Sequence, residues 1–278
     1  MTRRRPLRSL LAGIPAERLL VFLDFDGTLA PIVPRPDAAT LPAPVRRTLD
    51  RLARLMPVVI VSGRTLSDLK RRVGVPGLRY VAHHGLVYKE PGSAMRWRGR
   101  RVPRETVRQW MRVLQAAAEG VPGALVEGKG MSVALHHRLV RPADRVRLRR
   151  QALRALAPWL ADGSALLVRG KCVLEVRPAG SWNKGAAVAA LLRRPWARNR
   201  VPVYFGDDQT DFDAFRVVRN QGFAVRVGGR RGIAGEHSWV SGPGAVAVLL
   251  RWLETRLATR ANEADEAAVF AVGESLQR

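Results

Sequence analysis

Hydrophobic positions in the first third of the chain follow two alternating patterns. Residues 19–25 begin with an unbroken apolar run, LLVFL, which predicts a buried strand. Residues 42–55 carry an apolar residue at every third or fourth position, which predicts a helix, and the β-branched run 58–61 predicts a second strand. A helix over 65–73 and a strand over 79–82 continue the alternation. This order is typical of a parallel sheet with crossover helices.

The last third of the chain resumes the same alternation. The pattern predicts helices over 183–192, 210–218 and 245–257, and strands over 201–205 and 222–227. The two parts of the chain are therefore interpreted as halves of one sheet domain.

The segment between these halves has a different pattern. A helix over 103–119 precedes one hairpin-like stretch, and a helix over 143–160 precedes another. Both hairpin turns contain a Gly-Lys pair, at 128–129 and at 170–171, which indicates a duplicated helix-hairpin unit. We divide the chain into a first core part at 1–98, an inserted α+β domain at 99–179, a second core part at 180–257, and a tail at 258–278 that is either a frayed helix or disordered.

Composition agrees with a globular protein. The 278 residues are 47% hydrophobic, enough for a sizeable core. No apolar run approaches the roughly 20 residues of a membrane span, and the N-terminal apolar stretch is too short for a signal peptide. We therefore expect a cytoplasmic protein with no membrane partner. The single cysteine, Cys172, lies in a strand-like run and is expected to be a small core residue.

The formal charge of +25 raises the question of a nucleic-acid partner. Lysine occurs at only five positions, so the surplus is nearly all arginine, and it is scattered over predicted helices without interleaved aromatic residues. We therefore expect a general attraction for anionic, phosphorylated ligands and no nucleic-acid partner.

Four short motifs follow predicted strands or begin predicted helices at one edge of the sheet, where open α/β sheets bind ligands. The first is DFDGT, in which alternation places Asp24 and Asp26 on the same side of the chain, and Gly27 permits a tight exit with exposed backbone N–H groups. Two neighbouring carboxylates repel each other unless a cation or a shared proton neutralises them. Hard oxygen ligands favour Mg²⁺, and a metal-clamped phosphate leaves one carboxylate as a nucleophile.

Two further motifs offer contacts for a phosphate. In VSGRT, the Ser62 hydroxyl and the N–H groups of the following helix predict a phosphate cradle. In NKG, Lys184 begins a helix and can neutralise a phosphate.

The fourth motif, GDDQTD, places three carboxylates within five residues after a strand. Asp207, Asp208 and Asp211 are costly to hold together without a cation, so the motif predicts metal binding.

In order and spacing, the four motifs resemble those of the haloacid dehalogenase (HAD) superfamily of phosphotransferases. The resemblance implies an α/β fold, with a Rossmannoid parallel-sheet core and an inserted α+β cap domain of the C2B type. It also implies Mg²⁺-dependent phosphate transfer through an aspartyl-phosphate. The implied roles are nucleophile for Asp24, general acid and then base for Asp26, phosphoryl binding for Ser62 and Lys184, and metal binding for Asp24, the backbone carbonyl of Asp26 and Asp207, supported by Asp208 and Asp211.

Within that superfamily, residues from about 19 to 250 resemble the trehalose-6-phosphate phosphatases. The shared stretches include LDFDGTLAPIV, the His84-Gly85 pair, a Glu-x-Lys motif followed by ALHHR, VLEVRP and GDDQTDFDAF. The resemblance implies that Glu127, Lys129 and Glu175 bind sugar hydroxyls from the cap. The full set of implied substrate contacts is Asp24, Phe25, Asp26, Gly27, Arg64, His84, Glu127, Lys129 and Glu175.

The chain departs from the family pattern at a few positions. Phe212 stands where the family usually has an acid beside the metal motif, and His136-His137-Arg138 replaces a common His-Tyr-Arg. The histidine pairs leave a zinc site as an alternative, although no cysteine partner supports it.

We expect hydrolysis of trehalose 6-phosphate, the final step of trehalose biosynthesis. Because no glycosyltransferase-like segment precedes the phosphatase part, a separate trehalose-6-phosphate synthase is the expected pathway partner. Two alternatives remain: a related phosphatase acting on sucrose phosphate or a glycosyl-glycerate phosphate, and a basic nucleic-acid-binding protein with an inactive phosphatase fold.

Overall fold

Strands and helices alternate along the chain much as the hydrophobic pattern predicts. The computed structural model describes residues 7–99, 101–180, 182–229 and 238–275. In these ranges the strands are β1 (Leu19–Leu23), β2 (Val58–Val61), β3 (Arg79–Ala82), β4 (Val87–Lys89), β5 (Arg96–Trp97), β6 (Leu125–Gly128), β7 (Val133–His136), β8 (Ala165–Gly170), β9 (Val173–Pro178), β10 (Val201–Gly206), β11 (Phe223–Val227) and β12 (Ser238–Val240).

The predicted helices are present, and all except the last have ends within two residues of the prediction. In the described ranges the helices are α1 (Leu7–Ala12), α2 (Ala43–Leu55), α3 (Leu66–Val73), α4 (Arg104–Ala118), α5 (Pro142–Ala161), α6 (Lys184–Leu192), α7 (Phe212–Val218) and α8 (Pro243–Ser275). None of them is long and apolar enough to cross a membrane.

The core is one eight-stranded sheet with the order β12-β11-β10-β1-β2-β3-β4-β5. Strands from β12 to β3 are parallel, and β4 and β5 extend the sheet as antiparallel strands. The central strand β1 is fully buried, and its last residue, Leu23, pairs with Phe205 of β10 and Ile60 of β2. The segments that follow these three strands therefore meet at one edge of the sheet.

The two faces of the sheet are covered by different helices. Leu19, Val21 and Leu23 pack into a cluster with apolar residues of α1, α2, α3 and α8, whereas Leu20 and Phe22 pack into a cluster with residues of α6 and α7. Burial of both faces explains why the core strands are apolar throughout.

A second sheet lies within the predicted insert at 99–179. Its order is β6-β7-β9-β8, and all its strands are antiparallel. Trp110 of α4 and Leu148 of α5 pack with Leu174 and Val176 of β9 on one face of this sheet. Because side chains alternate along a strand, Glu175 of β9 lies on the opposite face. We call this insert the cap. Its strand order places the two predicted helix-hairpin units side by side.

The C-terminal helix is longer than the pattern predicts. The expected helix ended at 257, but α8 begins at Pro243 and continues through Ser275, so residues 258–275 of the expected tail are helical. This part of the sequence is rich in alanine and glutamate, which are strong helix formers. Residues 276–278 lie outside the described ranges.

Candidate active site

A cavity of about 170 Å³ lies where the carboxyl ends of the core strands face the cap sheet, and residues of both parts line it. We call this cavity the cleft. Of the site residues predicted from sequence, it is lined by Asp24, Asp26, Ser62, Arg64, His84, Glu127, Lys129, Glu175, Lys184, Asp207 and Asp208, but not by Phe25, Gly27 or Asp211.

Lys184 joins two buried carboxylates at the base of the cleft. Its Nζ donates to Asp24 Oδ1 at 2.7 Å and to Asp211 Oδ1 at 2.8 Å. Burial raises the pKa of Asp24 well above its ordinary value, and Lys184 only partly opposes this effect. Burial alone would lower the pKa of Lys184, but Asp211 and Asp24 raise it, so the ammonium stays charged. Asn183 places Lys184 by capping α6, because its side chain accepts a hydrogen bond from the N–H of Ala186.

Asp24, Asp207 and Asp211 form a compact group of carboxylates. Each can offer one oxygen such that the three atoms lie within 4.8 Å of one another, and all three residues are buried. Asp211 is held firmly, since it also accepts hydrogen bonds from the Tyr204 hydroxyl at 2.7 Å and from the N–H groups of Asp207 and Asp208. Three buried carboxylates with hard oxygen donors are the ligand set that suits Mg²⁺.

Asp208 lies outside this carboxylate group. Its Oδ1 accepts from the N–H of Gln209 at 2.7 Å, because Asp208 caps the short 3₁₀ turn that follows β10. Its Oδ2 accepts from the N–H of Lys171, in the cap, at 3.3 Å. The side chain of Asp208 thus shapes the loop, and a role as a direct metal ligand remains only a prediction.

Arg64 holds Asp26 in a two-point contact. Arg64 Nε and Nη2 each donate to one Asp26 oxygen at 2.7 Å, and Nη1 donates to Asp68 at 2.6 Å. Its guanidinium carbon also lies 5.3 Å from the centre of the Phe25 ring. The sequence predicted substrate binding by Arg64, but the structure commits its donors chiefly to these two aspartates.

Phe25 and Gly27 lie in the turn after β1 and do not line the cleft, and their substrate contacts stay predictions. The Phe25 side chain is fully buried in the core, so only its backbone can reach a substrate. The N–H of Gly27 donates to the Ala30 carbonyl at 2.7 Å, so the expected exposed N–H is used within the turn. Gly27 has a φ of +84°, and a Cβ there would lie 2.1 Å from Asp207 Oδ2. Glycine is required here because the turn packs directly against the carboxylate group.

Ser62 lies where a phosphate contact was predicted. It is buried and lines the cleft together with Asp24, and its hydroxyl accepts from the N–H of Arg64 at 3.2 Å. Helix α3 begins at Leu66, close to the predicted start at 65, and is capped by Thr65, whose hydroxyl accepts from the N–H of Asp68. Phosphoryl binding by Ser62 stays a prediction.

Glu175 is the centre of the cap side of the cleft. It accepts hydrogen bonds from Lys129 Nζ at 2.8 Å and Ser132 Oγ at 2.7 Å, and it contacts His84 Nε2 at 3.3 Å. Burial alone would raise the pKa of Glu175, but Lys129 and His84 lower it well below its ordinary value. The His84 contact connects the core to the cap. Ser132 was missed in the sequence because a lone serine in a hairpin turn carries no signal.

Glu127 and His136 form a second pair in the cap. His136 Nε2 lies 2.8 Å from Glu127 Oε2. The pKa of Glu127 is lowered although burial alone would raise it, chiefly by this contact with His136. His84 and His136 are thus each paired with a glutamate. The compact carboxylate group, not these histidines, meets the distance condition for a metal among the described residues.

The second hairpin turn of the cap reaches the carboxylate group. Lys171 Nζ lies 2.5 Å from Asp207 Oδ2. Burial raises the pKa of Asp207 to about 6, and Lys171 partly opposes that rise. The neighbouring Cys172 has a φ of +62° and lines the cleft, so its prediction as a core residue is wrong. Lys171 was missed as a site residue, although the Gly-Lys pair at 170–171 was a usable signal.

Comparisons with known proteins agree with this geometry. The family model described as trehalose-phosphatase matches residues 22–238. A trehalose-phosphate phosphatase of Mycobacterium marinum is 38% identical over 225 residues, which cover 77% of this chain but only 55% of that relative's length.

Solved structures resemble the fold. The C-terminal domain of trehalose-6-phosphate phosphatase from C. albicans superposes with a TM-score of 0.81 at 24% identity, covering 90% of this chain and 98% of that one. A haloacid dehalogenase-like hydrolase from Bacteroides thetaiotaomicron gives a TM-score of 0.60 at 16% identity, covering 84% of this chain and 99% of that one. The predicted HAD-like core with a cap domain is thereby confirmed.

Proposed function

Because this chain belongs to the trehalose-phosphatase family, we propose that it hydrolyses trehalose 6-phosphate to trehalose and inorganic phosphate. One observation carries the proposal. The same cleft is lined by Asp24 and Lys184 from the core and by Glu127, Lys129 and Glu175 from the cap. Charged groups form strong, directional hydrogen bonds to hydroxyls, so the cap side suits a polyol while the core side suits a phosphate.

In the first step, an oxygen of the Asp24 carboxylate attacks phosphorus. The bond between phosphorus and the sugar oxygen breaks, and that oxygen takes a proton from Asp26. Asp24 is suited to attack because Lys184 holds one of its oxygens at 2.7 Å and thereby fixes the direction of the carboxylate. The product of this step is an aspartyl-phosphate and free trehalose.

In the second step, water attacks the phosphorus of the aspartyl-phosphate. The water proton passes to Asp26, the bond to Asp24 breaks, and phosphate leaves. Both Asp26 oxygens accept hydrogen bonds from Arg64 in this structure, which is the arrangement of a carboxylate base. For proton delivery in the first step, Asp26 must exchange one of these bonds for the sugar oxygen.

We infer Mg²⁺ as the cofactor, held by Asp24 and Asp207, with Asp211 behind them. The fit rests on the buried group of three carboxylates and on its hard oxygen donors. When bound, Mg²⁺ supplies positive charge against the transferring phosphoryl group. Lys184 adds a second positive charge from the protein, because its ammonium already contacts Asp24.

The cap residues bind the sugar and exclude water. Lys129, Ser132 and His84 fill three directions around the Glu175 carboxylate, so its orientation is set before the substrate arrives. We infer that a trehalose-6-phosphate synthase supplies the substrate.

The proposal is tested by phosphate release from four substrates with Mg²⁺ present: trehalose 6-phosphate, sucrose 6-phosphate, mannosyl-3-phosphoglycerate and glucose 6-phosphate. We expect the highest kcat/KM for trehalose 6-phosphate. Asp24→Asn should abolish turnover, whereas Asp50→Asn, on the surface of α2, should not. A higher kcat/KM for another sugar phosphate would replace the proposed substrate. If the wild type shows no turnover but binds nucleic acid in a salt-sensitive way, and Asp24→Asn still binds, the phosphatase proposal is wrong and the nucleic-acid-binding alternative is favoured.

A further inference from the structure

A second cavity, of about 340 Å³, adjoins the cleft, and we call it the side chamber. His84, Lys184 and Thr210 line both cavities. The rest of the chamber wall comes from β8 and β9 of the cap and from core residues near the start of α6 and α7. The steps proposed above use none of the residues that line the chamber alone.

Arg177 of β9 is the unusual group in this chamber. It is only 6% exposed, yet its Nη1 is buried without a hydrogen-bond partner in the described part of the chain. Arginine keeps its charge in proteins, and a buried charge is costly unless it is paired. The position therefore calls for an acceptor that the described side chains do not supply.

The two carboxylates that interact electrostatically with Arg177 already accept hydrogen bonds from other side chains. Glu175, two residues earlier on the same face of β9, is bonded to Lys129, Ser132 and His84. Asp213, which lines the chamber, accepts from Asn183 Nδ2 at 2.7 Å and is also paired with Arg216. Neither carboxylate forms a hydrogen bond with Arg177, and Arg177 itself lines the chamber, so an occupant of the chamber can supply an acceptor to its guanidinium.

The remaining wall suits a small oxyanion. The exposed Arg169 adds a second positive charge, and Gln209 and Thr210 add an amide and a hydroxyl. An arginine with further hydrogen-bond donors around it is the usual recognition set for phosphate oxygens.

We propose that the side chamber binds a tetrahedral phosphate-type oxyanion at Arg177. Two sources have this chemistry: inorganic phosphate, and the phosphoryl group of a second phosphorylated molecule. The assignment to inorganic phosphate released in the cleft rests on the proposed function, whereas oxyanion binding does not. Because the two cavities share three wall residues, a phosphate bound in the chamber lies beside the cleft.

The site is tested by equilibrium dialysis of radiolabelled inorganic phosphate against the full chain with Mg²⁺. We expect two phosphate sites in the wild type. Arg177→Met should weaken one of them about tenfold or more, as expected for loss of a charged hydrogen-bond donor. Arg147→Met, an exposed position on α5, is the matched control because it removes the same charge, and it should keep both sites.

A second variant guards against a folding defect in Arg177→Met. Gln209→Glu keeps Arg177 and the side-chain size but places a negative charge in the chamber wall, so it should also weaken the second site. A single phosphate site in the wild type, or two unchanged sites in Gln209→Glu and in folded Arg177→Met, overturns the proposal.

Competition distinguishes the two sources. If inorganic phosphate stays bound at the second site in a tenfold excess of glucose 6-phosphate, the ligand of that site is the product phosphate. If glucose 6-phosphate displaces inorganic phosphate from the second site, the ligand is a phosphorylated metabolite. These binding results do not depend on turnover. If trehalose 6-phosphate is not a substrate, the phosphatase proposal fails while the second site can still be counted.

Discussion

Removing the Lys184 ammonium is expected to destabilise the protein strongly. The perturbation is Lys184→Met, which keeps side-chain length and helix propensity but deletes the charge between Asp24 and Asp211. The three side chains are 3%, 6% and 0% exposed, so water cannot replace the lost ammonium. Asp207 adds a third buried carboxylate to the same group, which increases the repulsion.

The size of the effect follows from this burial. Removing one partner of a buried ion pair costs about 3–5 kcal/mol. For a chain of this size, 1 kcal/mol lowers Tm by about 2–4 °C, so the variant should melt about 6–20 °C below the wild type. Lys171→Met is the matched control: Asp207 is 4% exposed, but Lys171 is 44% exposed, so water screens its ammonium, and we expect the pair to contribute about 1 kcal/mol or less. Its Tm should fall by less than about 4 °C.

The Tm difference between Lys184→Met and the wild type should also depend on pH. Burial already raises the pKa of Asp24, and losing Lys184 removes the main opposing charge. The folded variant therefore keeps a proton on one of the three buried carboxylates at a pH where the unfolded chain has lost it. Since the folded state then binds more protons, stability falls as pH rises, and the Tm difference should be larger at pH 8 than at pH 5.

The measurement is thermal unfolding followed by circular dichroism in EDTA, which removes divalent cations. A Lys184→Met variant that melts within 4 °C of the wild type, and no lower than Lys171→Met, would refute the reasoning. It would mean that protonation or structural relaxation of the carboxylates replaces Lys184 at little cost.

Three further predictions concern the cleft and its surroundings. Burial lowers the pKa of His83 to about 4, so the unfolded chain takes up its proton first as pH falls, and the wild type should lose up to about 3 kcal/mol between pH 6.5 and pH 4. His83→Asn tolerates the positive φ and should remove that loss in urea unfolding; an unchanged pH dependence would contradict it. Lys171→Met frees an oxygen of Asp207 and should tighten Mn²⁺ binding, measured by electron paramagnetic resonance, by up to about fivefold; weaker binding would show that Lys171 supports the metal site instead of competing with it. Glu127→Gln should lower kcat/KM for trehalose 6-phosphate about tenfold or more but leave hydrolysis of p-nitrophenyl phosphate unchanged, and an equal loss on both substrates would argue against a sugar contact.

The core half of the site was accessible from the sequence because each motif is short and follows a strand. Asp24 follows β1 and Asp207 follows β10, and adjacent parallel strands bring such ends together. For these two residues a local pattern and a general rule of sheet topology were sufficient. Lys184 begins a helix at the same edge, but its role was predicted from the order of the four motifs, which resembles that of the HAD superfamily.

The docking of the cap on the core was not accessible in this way. The contacts of Lys171 with Asp207 and of His84 with Glu175 join residues 36 and 91 positions apart. They depend on the angle between the cap and the core, and the spacing of hydrophobic residues along the chain does not predict that angle. The two-point contact between Arg64 and Asp26 was missed for a related reason, because an arginine in a phosphate motif is read first as a ligand contact.

The scarcity of lysine gives a chemical handle on the cap. Reagents that acylate or reductively alkylate primary amines do not modify arginine, so the arginine-rich surface is not labelled. Of the five lysines in the sequence, Lys129, Lys171 and Lys184 line the cleft. Lys171 is 44% exposed, against 12% for Lys129 and 3% for Lys184. Lys70 of α3 is also exposed, so with Lys70 replaced by arginine the labelling of Lys171 places a fluorophore at the junction of cap and core and reports on cap opening.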